Sequence, residues 1–169
     1  MKRFFLMAAV AVFGFSVSAQ EVSFGVTGGF LSGSQKVESG GFEATASESG
    51  FYIGGVADIS VSEKFHVQPE VVFASIKDFS SIQVPIMAKY YVAEGLNLQA
   101  GPQIGFHFEE TGDDFSSFNF SLGAGAGYDI DENFFVEARY AFQLNDYYTG
   151  DADASSKINF LSVGVGYKF

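Results

Sequence analysis

The closing stretch, Lys157 to Phe169, reads K-I-N-F-L-S-V-G-V-G-Y-K-F. From Leu161 onward the odd positions are Leu161, Val163, Val165, Tyr167 and Phe169, and the even ones are Ser162, Gly164, Gly166 and Lys168. Alternation with period two marks a strand with one apolar face, because successive side chains leave opposite sides of an extended backbone. The second face here is small or polar, so the apolar stripe has no partner face within its own strand.

Working outward from that end, the same pattern recurs. Glu21 to Phe30 sets Val22, Phe24, Val26 and Phe30 against Ser23, Gly25, Thr27 and Gly29, and Gly50 to Ile59 puts Phe51, Ile53, Gly55, Ala57 and Ile59 on one face. Phe65 to Ala74 turns Phe65, Val67, Pro69, Val71 and Phe73 one way and His66, Gln68 and Glu70 the other. Further strands are expected over Ile82–Val92, Leu96–Phe108, Phe118–Asp129 and Phe134–Leu144, the last with Glu137, Arg139 and Gln143 on its polar face. That makes eight, each near the roughly 9–11 residues with which a tilted strand crosses a bilayer. Ser60–Lys64, Ala93–Gly95 and Ile130–Asn133 read as tight turns. Leu31–Ser49, Glu109–Ser116 and Asn145–Ser156 read as long polar loops, the first of them mobile, with a brief connection around Ser75–Ser80.

The architecture this predicts is all-β: an eight-stranded antiparallel up-and-down transmembrane β-barrel, short turns at one end and longer loops at the other. Closure removes the unpaired edges that lipid cannot satisfy. A soluble lipocalin-like barrel has the same period, with its apolar face inside. Bulk decides between them. One face carries Phe, Tyr, Ile, Leu and Val and the other Gly, Ser, Asn, Gln and a few charges, and an eight-stranded lumen is only wide enough to be filled by side chains. The final strand, with its aromatic last residue, resembles the closing strand of bacterial outer-membrane barrels, which implies that Tyr167 and Phe169 act as a membrane assembly signal.

Bulk properties agree. The 169 residues hold one domain, expected over residues 20–169, behind a secretory signal peptide over residues 1–19. Lys2 and Arg3, the apolar run Phe4–Phe15 and the small residues before Gln20 carry that reading. Loss of two of the nine basic residues and no acid would take the formal charge from −11 to −13. So acidic a chain excludes nucleic acid as a partner. Without cysteine there is no disulfide, thiolate metal site or lipidated N-terminal Cys. The 21 Phe and 20 Gly are foreign to disordered acidic segments.

Three segments together, Asn97-Leu98-Gln99-Ala100-Gly101-Pro102-Gln103-Ile104-Gly105, Ile82–Pro85 ahead of Lys89-Tyr90-Tyr91, and Phe134–Tyr140, resemble the PorT-like family of small outer-membrane β-barrel proteins from Bacteroidota. The resemblance spans nearly the whole mature chain. It implies an eight-stranded barrel, usually of unassigned function. The founding member is associated with a protein secretion system, a role that no residue here singles out.

All three prolines, Pro69, Pro85 and Pro102, fall inside expected strands, where the missing N–H confines proline to edges and bulges. A bulge or a locally open ladder is expected at these positions. Inside the barrel, Glu70, Lys89, Glu137 and Arg139 stand at comparable distances from their short turns, with His66 near Lys89. They are expected to form a paired polar network plugging the lumen, since buried charges must be compensated; the functional rival is a proton or ion path.

No catalytic, cofactor or metal residues are assigned. A lipid-modifying enzyme would need a nucleophile beside a base, and no outward serine–histidine pair is visible around His66 or His107. Oxygen-rich loops can hold calcium, but Asp151-Ala152-Asp153 lacks the glycine and distal glutamate of a loop motif. Expected partners are outer-membrane lipid, the barrel assembly machinery and an extracellular or periplasmic protein met through the loops. The expected state is a monomer in the bacterial outer membrane. A lipid-modifying enzyme or a narrow pore is the alternative.

Overall fold

Alternation in sequence becomes alternation in exposure. In the computed structural model, which describes residues 21–39, 42–77, 79–108, 118–145 and 154–169, Leu96, Leu98, Ala100, Pro102 and Phe106 are exposed while Asn97, Gln99, Gly101, Gln103, Gly105 and His107 between them are buried. These belong to one of eight strands: β1 (Val22–Ser39), β2 (Phe42–Ser60), β3 (Phe65–Ile76), β4 (Phe79–Tyr91), β5 (Leu96–His107), β6 (Phe118–Asp129), β7 (Phe134–Gln143) and β8 (Ala154–Lys168). Each pairs antiparallel with its sequence neighbours. β8 returns to β1, from Gly25 opposite Lys168 to Ser39 opposite Ala154, and the barrel is closed.

The apolar face is the outer one. Leu161, Val163, Val165, Tyr167 and Phe169 of the closing stretch are all exposed, with Phe24, Phe30, Phe51, Val71 and Leu98 among those continuing the belt. A soluble barrel of lipocalin type would place these side chains inside.

Three short turns close one end with a shared five-residue pattern, an apolar residue at each end and Glu in the middle: V-S-E-K-F at 61–65, V-A-E-G-L at 92–96 and I-D-E-N-F at 130–134. In each, the first residue's N–H donates to the carbonyl of the fifth: Val61 to Phe65 at 3.0 Å, Val92 to Leu96 at 2.9 Å and Ile130 to Phe134 at 2.8 Å. Gly95 sits at φ +72°, a conformation that L side chains avoid. In the third turn, Asp131 Oδ1 accepts from the N–H of Asn133 (2.8 Å) and of Phe134 (2.7 Å).

At the other end the structure corrects the expected loop Leu31–Ser49. β1 continues to Ser39 and β2 begins at Phe42, paired from Leu31 opposite Gly50 to Ser39 opposite Phe42. The text there is mostly Ser, Gly and Glu with few apolar residues, which weakens the period-two signal. Backbone pairing of β1 with both β2 and β8 supplies the order instead. β8 likewise starts at Ala154, and the β3–β4 connection contracts to a turn in which Lys77 takes φ 50°. The expected leader over residues 1–19 lies outside the described residues, as do Glu109, Glu110, Asp113, Asp114, Asp146, Tyr147, Tyr148, Asp151 and Asp153.

The prolines open the ladder without a bulge. β2–β3 pairing skips Ala57 and Asp58 against Pro69 and Gln68, then resumes in the same register at Ile59 opposite Val67. β3–β4 pairing skips Glu70 and Val71 against Pro85 and Val84, and β4–β5 skips Ile86 and Met87 against Pro102 and Gly101. Because no residue is inserted, inside and outside never exchange. The three gaps lie on successive strands and form one oblique seam through the wall.

Candidate functional site

The polar residues turned inward by β2, β3, β4, β5 and β7 meet at mid-height in the lumen. Arg139 donates from one terminal nitrogen to Glu70 Oε1 at 2.6 Å and to Glu137 Oε2 at 2.5 Å, and its Nε donates to Gln99 Oε1 at 2.7 Å. Lys89, with a side chain 1% exposed, does not join them directly. It donates to Asp58 Oδ2 at 2.9 Å and to Gln68 Oε1 at 2.8 Å. Gln68 is the link between the two groups, since its Nε2 donates to Glu70 Oε1 at 2.7 Å. His66 Nδ1 lies 2.6 Å from Asp58 Oδ1, and its ring packs against Tyr91 at a 57° tilt with centroids 4.8 Å apart.

All four residues singled out from sequence, Glu70, Lys89, Glu137 and Arg139, therefore face the lumen and are buried. Arg139, Glu70 and Glu137 come together; Lys89 is held one residue away by Gln68. Asp58 was not singled out, although alternation with Ala57 and Ile59 already turned it inward. Its pairing with Lys89 depends on strands that are not adjacent, a relationship that no single-strand pattern carries.

Nearer the short turns the network runs on through Tyr91, whose hydroxyl donates to Asp129 Oδ2 at 2.7 Å, with Lys168 Nζ 3.4 Å from the same oxygen. Toward the long-loop end β4 to β7 keep buried polar side chains, Ser81, Gln83, His107, Asn119, Ser121 and Gln143, but large apolar ones stand beside them, which corrects the expectation of a uniformly small and polar interior. Leu31, Tyr52, Val72, Ile76, Ala141 and Phe160 form a buried cluster above the charges. The inward glycines make room for the large members of this filling: a Cβ at Gly164 would lie 2.0 Å from the Tyr52 hydroxyl, and one at Gly166 2.0 Å from the Phe135 ring. Between charged and apolar layers is a cavity of about 30 Å³, bounded by Glu70, Arg139, Gln83, Leu31 and Phe160. That is room for roughly one or two waters and no larger ligand.

Register sets Ser81 opposite His107, but both are buried on the lumen side and Ser81 Oγ accepts from Gln83 Nε2 at 3.3 Å. An acyl chain in the surrounding bilayer touches the other face of the wall. Among the described residues no group of His, Asp and Glu is arranged to hold a metal ion.

Residues 5–169 match the family model of the outer membrane protein beta-barrel domain. The chain belongs to that family. It is a small outer-membrane β-barrel protein, and the short turns accordingly face the periplasm. No curated protein matches its sequence. Among solved structures the barrel is similar to Ail, the attachment invasion locus protein of Yersinia pestis, solved in complex with the heparin analogue sucrose octasulfate, at 18% identity and TM-score 0.54 over 88% of this chain and 99% of that one. Neisserial surface protein A gives 18% identity and TM-score 0.53 over the same shares. A de novo designed transmembrane β-barrel gives 14% identity and TM-score 0.50, covering 87% of this chain and 95% of its own. These likenesses are likenesses of fold, and a fold shared with a designed sequence carries no activity by itself.

Proposed function

We propose that this protein is a sealed, monomeric outer-membrane barrel whose work is structural or partner-binding, done by its surface loops or by a periplasmic partner rather than by its lumen. The observation that supports this reading is the two-layer filling of the lumen. A charged layer in which each cation meets a carboxylate lies beneath a second layer in which Leu31, Val72, Ala141 and Phe160 share the lumen with buried Ser81, Gln83, Asn119, Ser121 and Gln143. A hydrated ion crossing the barrel would have to break the first and displace the packed side chains of the second, so the reading favours a plug over a pore. The buried, lumen-facing placement of Ser81 and His107 favours a non-enzymatic role.

The finer likeness to PorT-like barrels from Bacteroidota, carried by Asn97–Gly105, belongs to this proposal. So do export through a leader ending at Ala19 and assembly by the barrel machinery; a mature chain beginning at Gln20 on N-terminal sequencing is the expected product. Reconstituted into planar bilayers, the barrel should give no single-channel steps, and steady unitary currents would overturn the sealed lumen. Pull-down from intact outer membrane should recover a partner that is lost when residues 109–116 or 145–153 are deleted while the barrel still folds. Altered lipopolysaccharide on overproduction would instead point to the enzyme.

A further inference from the structure

β2 stands taller than one of its neighbours. It pairs with β1 along its whole length, from Ile59 opposite Val22 to Phe42 opposite Ser39, but its pairing with β3 stops at Gly50 opposite Ile76. Among the described residues, Phe42–Ser49 therefore forms a sheet edge with no strand beside it, about 27 Å long at the usual rise per residue. The edge lies beyond the lipid-facing belt, which on this hairpin ends at Phe30 and Phe51. Thr45, Ala46, Ser47, Glu48 and Ser49 are all exposed.

Register fixes which main-chain groups meet that open side. The Ser60 N–H donates to the Glu21 carbonyl, just ahead of β1, at 2.9 Å, and from there the β1–β2 register runs to Ser39 and Phe42 with no inserted residue. Main-chain groups along an antiparallel strand point to its two sides alternately. Even-numbered residues of β2 thus bond β1, and Thr45 and Ser47 turn N–H and C=O to the open side. Comparable strand ends are covered by side chains. Gln143 Oε1 accepts from the Ile158 N–H of β8 at 2.6 Å, and Asn145 meets both the Phe120 N–H of β6 at 2.7 Å and the Phe118 carbonyl at 2.9 Å. Among the described residues no side chain does this for Thr45 or Ser47. Natural edges are blunted by Pro, Lys or a bulge, and Thr45–Ser49 has none of these. Its one charge, Glu48, is drawn to Lys77 beside the β3–β4 turn at 3.1 Å.

We infer that the open edge of β2 takes up an extended, basic segment of an extracellular polypeptide as an added strand, through the main chain of Thr45 and Ser47. This rests on the partner-binding reading above and names its site. Strand addition draws affinity from main-chain bonds and selectivity from what flanks them. The flanking text is acidic: residues 31–49, 77–78, 109–117 and 145–157, which join the strands at this end, hold eleven Asp and Glu against three Lys. A field of that sign draws in chains rich in Lys and Arg. A second copy of the barrel does not fit. Two copies in one membrane, related by a twofold axis along its normal, would bring strands tilted near 40° across each other at about 80° instead of side by side.

The test uses the mature barrel in phosphatidylcholine nanodiscs and two short synthetic peptides, one alternating Lys with Val and Thr and its twin with Glu in place of Lys. Binding is read by fluorescence anisotropy and by amide hydrogen exchange resolved by NMR. The basic peptide should bind and slow exchange at Thr45 and Ser47, leaving Ala46, already bonded to β1, unchanged. Thr45→Pro/Ser47→Pro should fold, because proline is tolerated where its missing N–H would face away from the sheet. It should bind the basic peptide about tenfold or more weakly, having lost two main-chain donors. Undiminished binding by that variant, or no slowing at Thr45 and Ser47 in the parent at saturating peptide, would overturn the site; the second readout holds whether or not the variant folds. Equal binding of the acidic twin would overturn the basic partner. A partner recovered from intact outer membrane that binds parent and double variant alike would overturn the edge as its site while the partner-binding reading stands.

Discussion

Lys89 Nζ and Asp58 Oδ2 stand 2.9 Å apart inside the barrel, on strands separated by β3, with side chains 1% and 4% exposed. The pair spans the seam where β3 loses ladder bonds on both its sides, at Pro69 and opposite Pro85. Asp58 itself lies in the β2–β3 gap, and the link anchors it across β3 to Lys89, which stands in the paired part of β4 opposite His66 and Gln99. Breaking one partner of a buried pair costs about 3–5 kcal/mol because the other charge is stranded, whereas replacing both by apolar groups is close to neutral. Lys89→Met should accordingly destabilise the barrel by roughly that amount in urea unfolding from lipid vesicles, and Lys89→Met/Asp58→Leu should recover most of the loss. Recovery is expected to be incomplete, because His66 also meets Asp58 and Gln68 also meets Lys89.

Gly164 and Gly166 are set apart from each other by what a methyl group would strike. At Gly166 the nearest atoms all belong to the Phe135 ring, whereas at Gly164 the Gly28 carbonyl lies 2.7 Å away in addition to the Tyr52 hydroxyl. Each alanine substitution should cost about 1–3 kcal/mol by overpacking. Gly166→Ala should be rescued by Phe135→Leu, and Gly164→Ala should not be rescued by Tyr52→Phe. Unfolding midpoints of the four variants and the two doubles check both statements.

The closing residues tie three elements together. The Phe169 N–H donates to the Phe24 carbonyl of β1 at 2.8 Å, and the Lys168 N–H to the Asn133 carbonyl of the third turn at 2.7 Å. Asn133 Nδ2 returns a bond to the Lys168 carbonyl at 2.9 Å, and Tyr167 meets Phe134 edge-on at 4.9 Å. Deleting Tyr167–Phe169 should block membrane assembly, seen as loss of the heat-modifiable folded band in outer-membrane fractions. Asn133→Ala should leave assembly intact and lower the melting temperature modestly.

Asp131 ionises below the ordinary carboxylate value of 3.8, because the Phe134 and Asn133 N–H groups bond the charged form. A carboxyl depressed in the folded state stabilises it fully above its ordinary value, and that contribution disappears as pH falls through the lowered one. Asp131→Asn should therefore melt below the parent at neutral pH, and the gap should close in strong acid. A gap independent of pH would assign the effect to turn geometry rather than to charge.

Much of this protein was determined by its sequence alone. Side-chain period is two wherever one face meets lipid, so Leu161–Phe169 and the stretches like it declared strand, facing and number, and the crowding of an eight-stranded lumen told inside from outside. The lumen-facing placement of Glu70, Lys89, Glu137 and Arg139 followed from the same parity. Tertiary structure alone decided who meets whom. That Asp58 rather than Glu70 holds Lys89, and that Gln68 joins the two charged groups, follows from curvature bringing nonadjacent strands within side-chain reach. The extension of β1 and β2 through Leu31–Ser49 was equally beyond the sequence, because without a bulky apolar face the period fades and backbone bonds fix the strands instead, β1 to both β2 and β8 and β2 to β1. The prolines announced a defect, but its form, an open seam in unbroken register, was set by neighbouring strands that hold the alignment on either side.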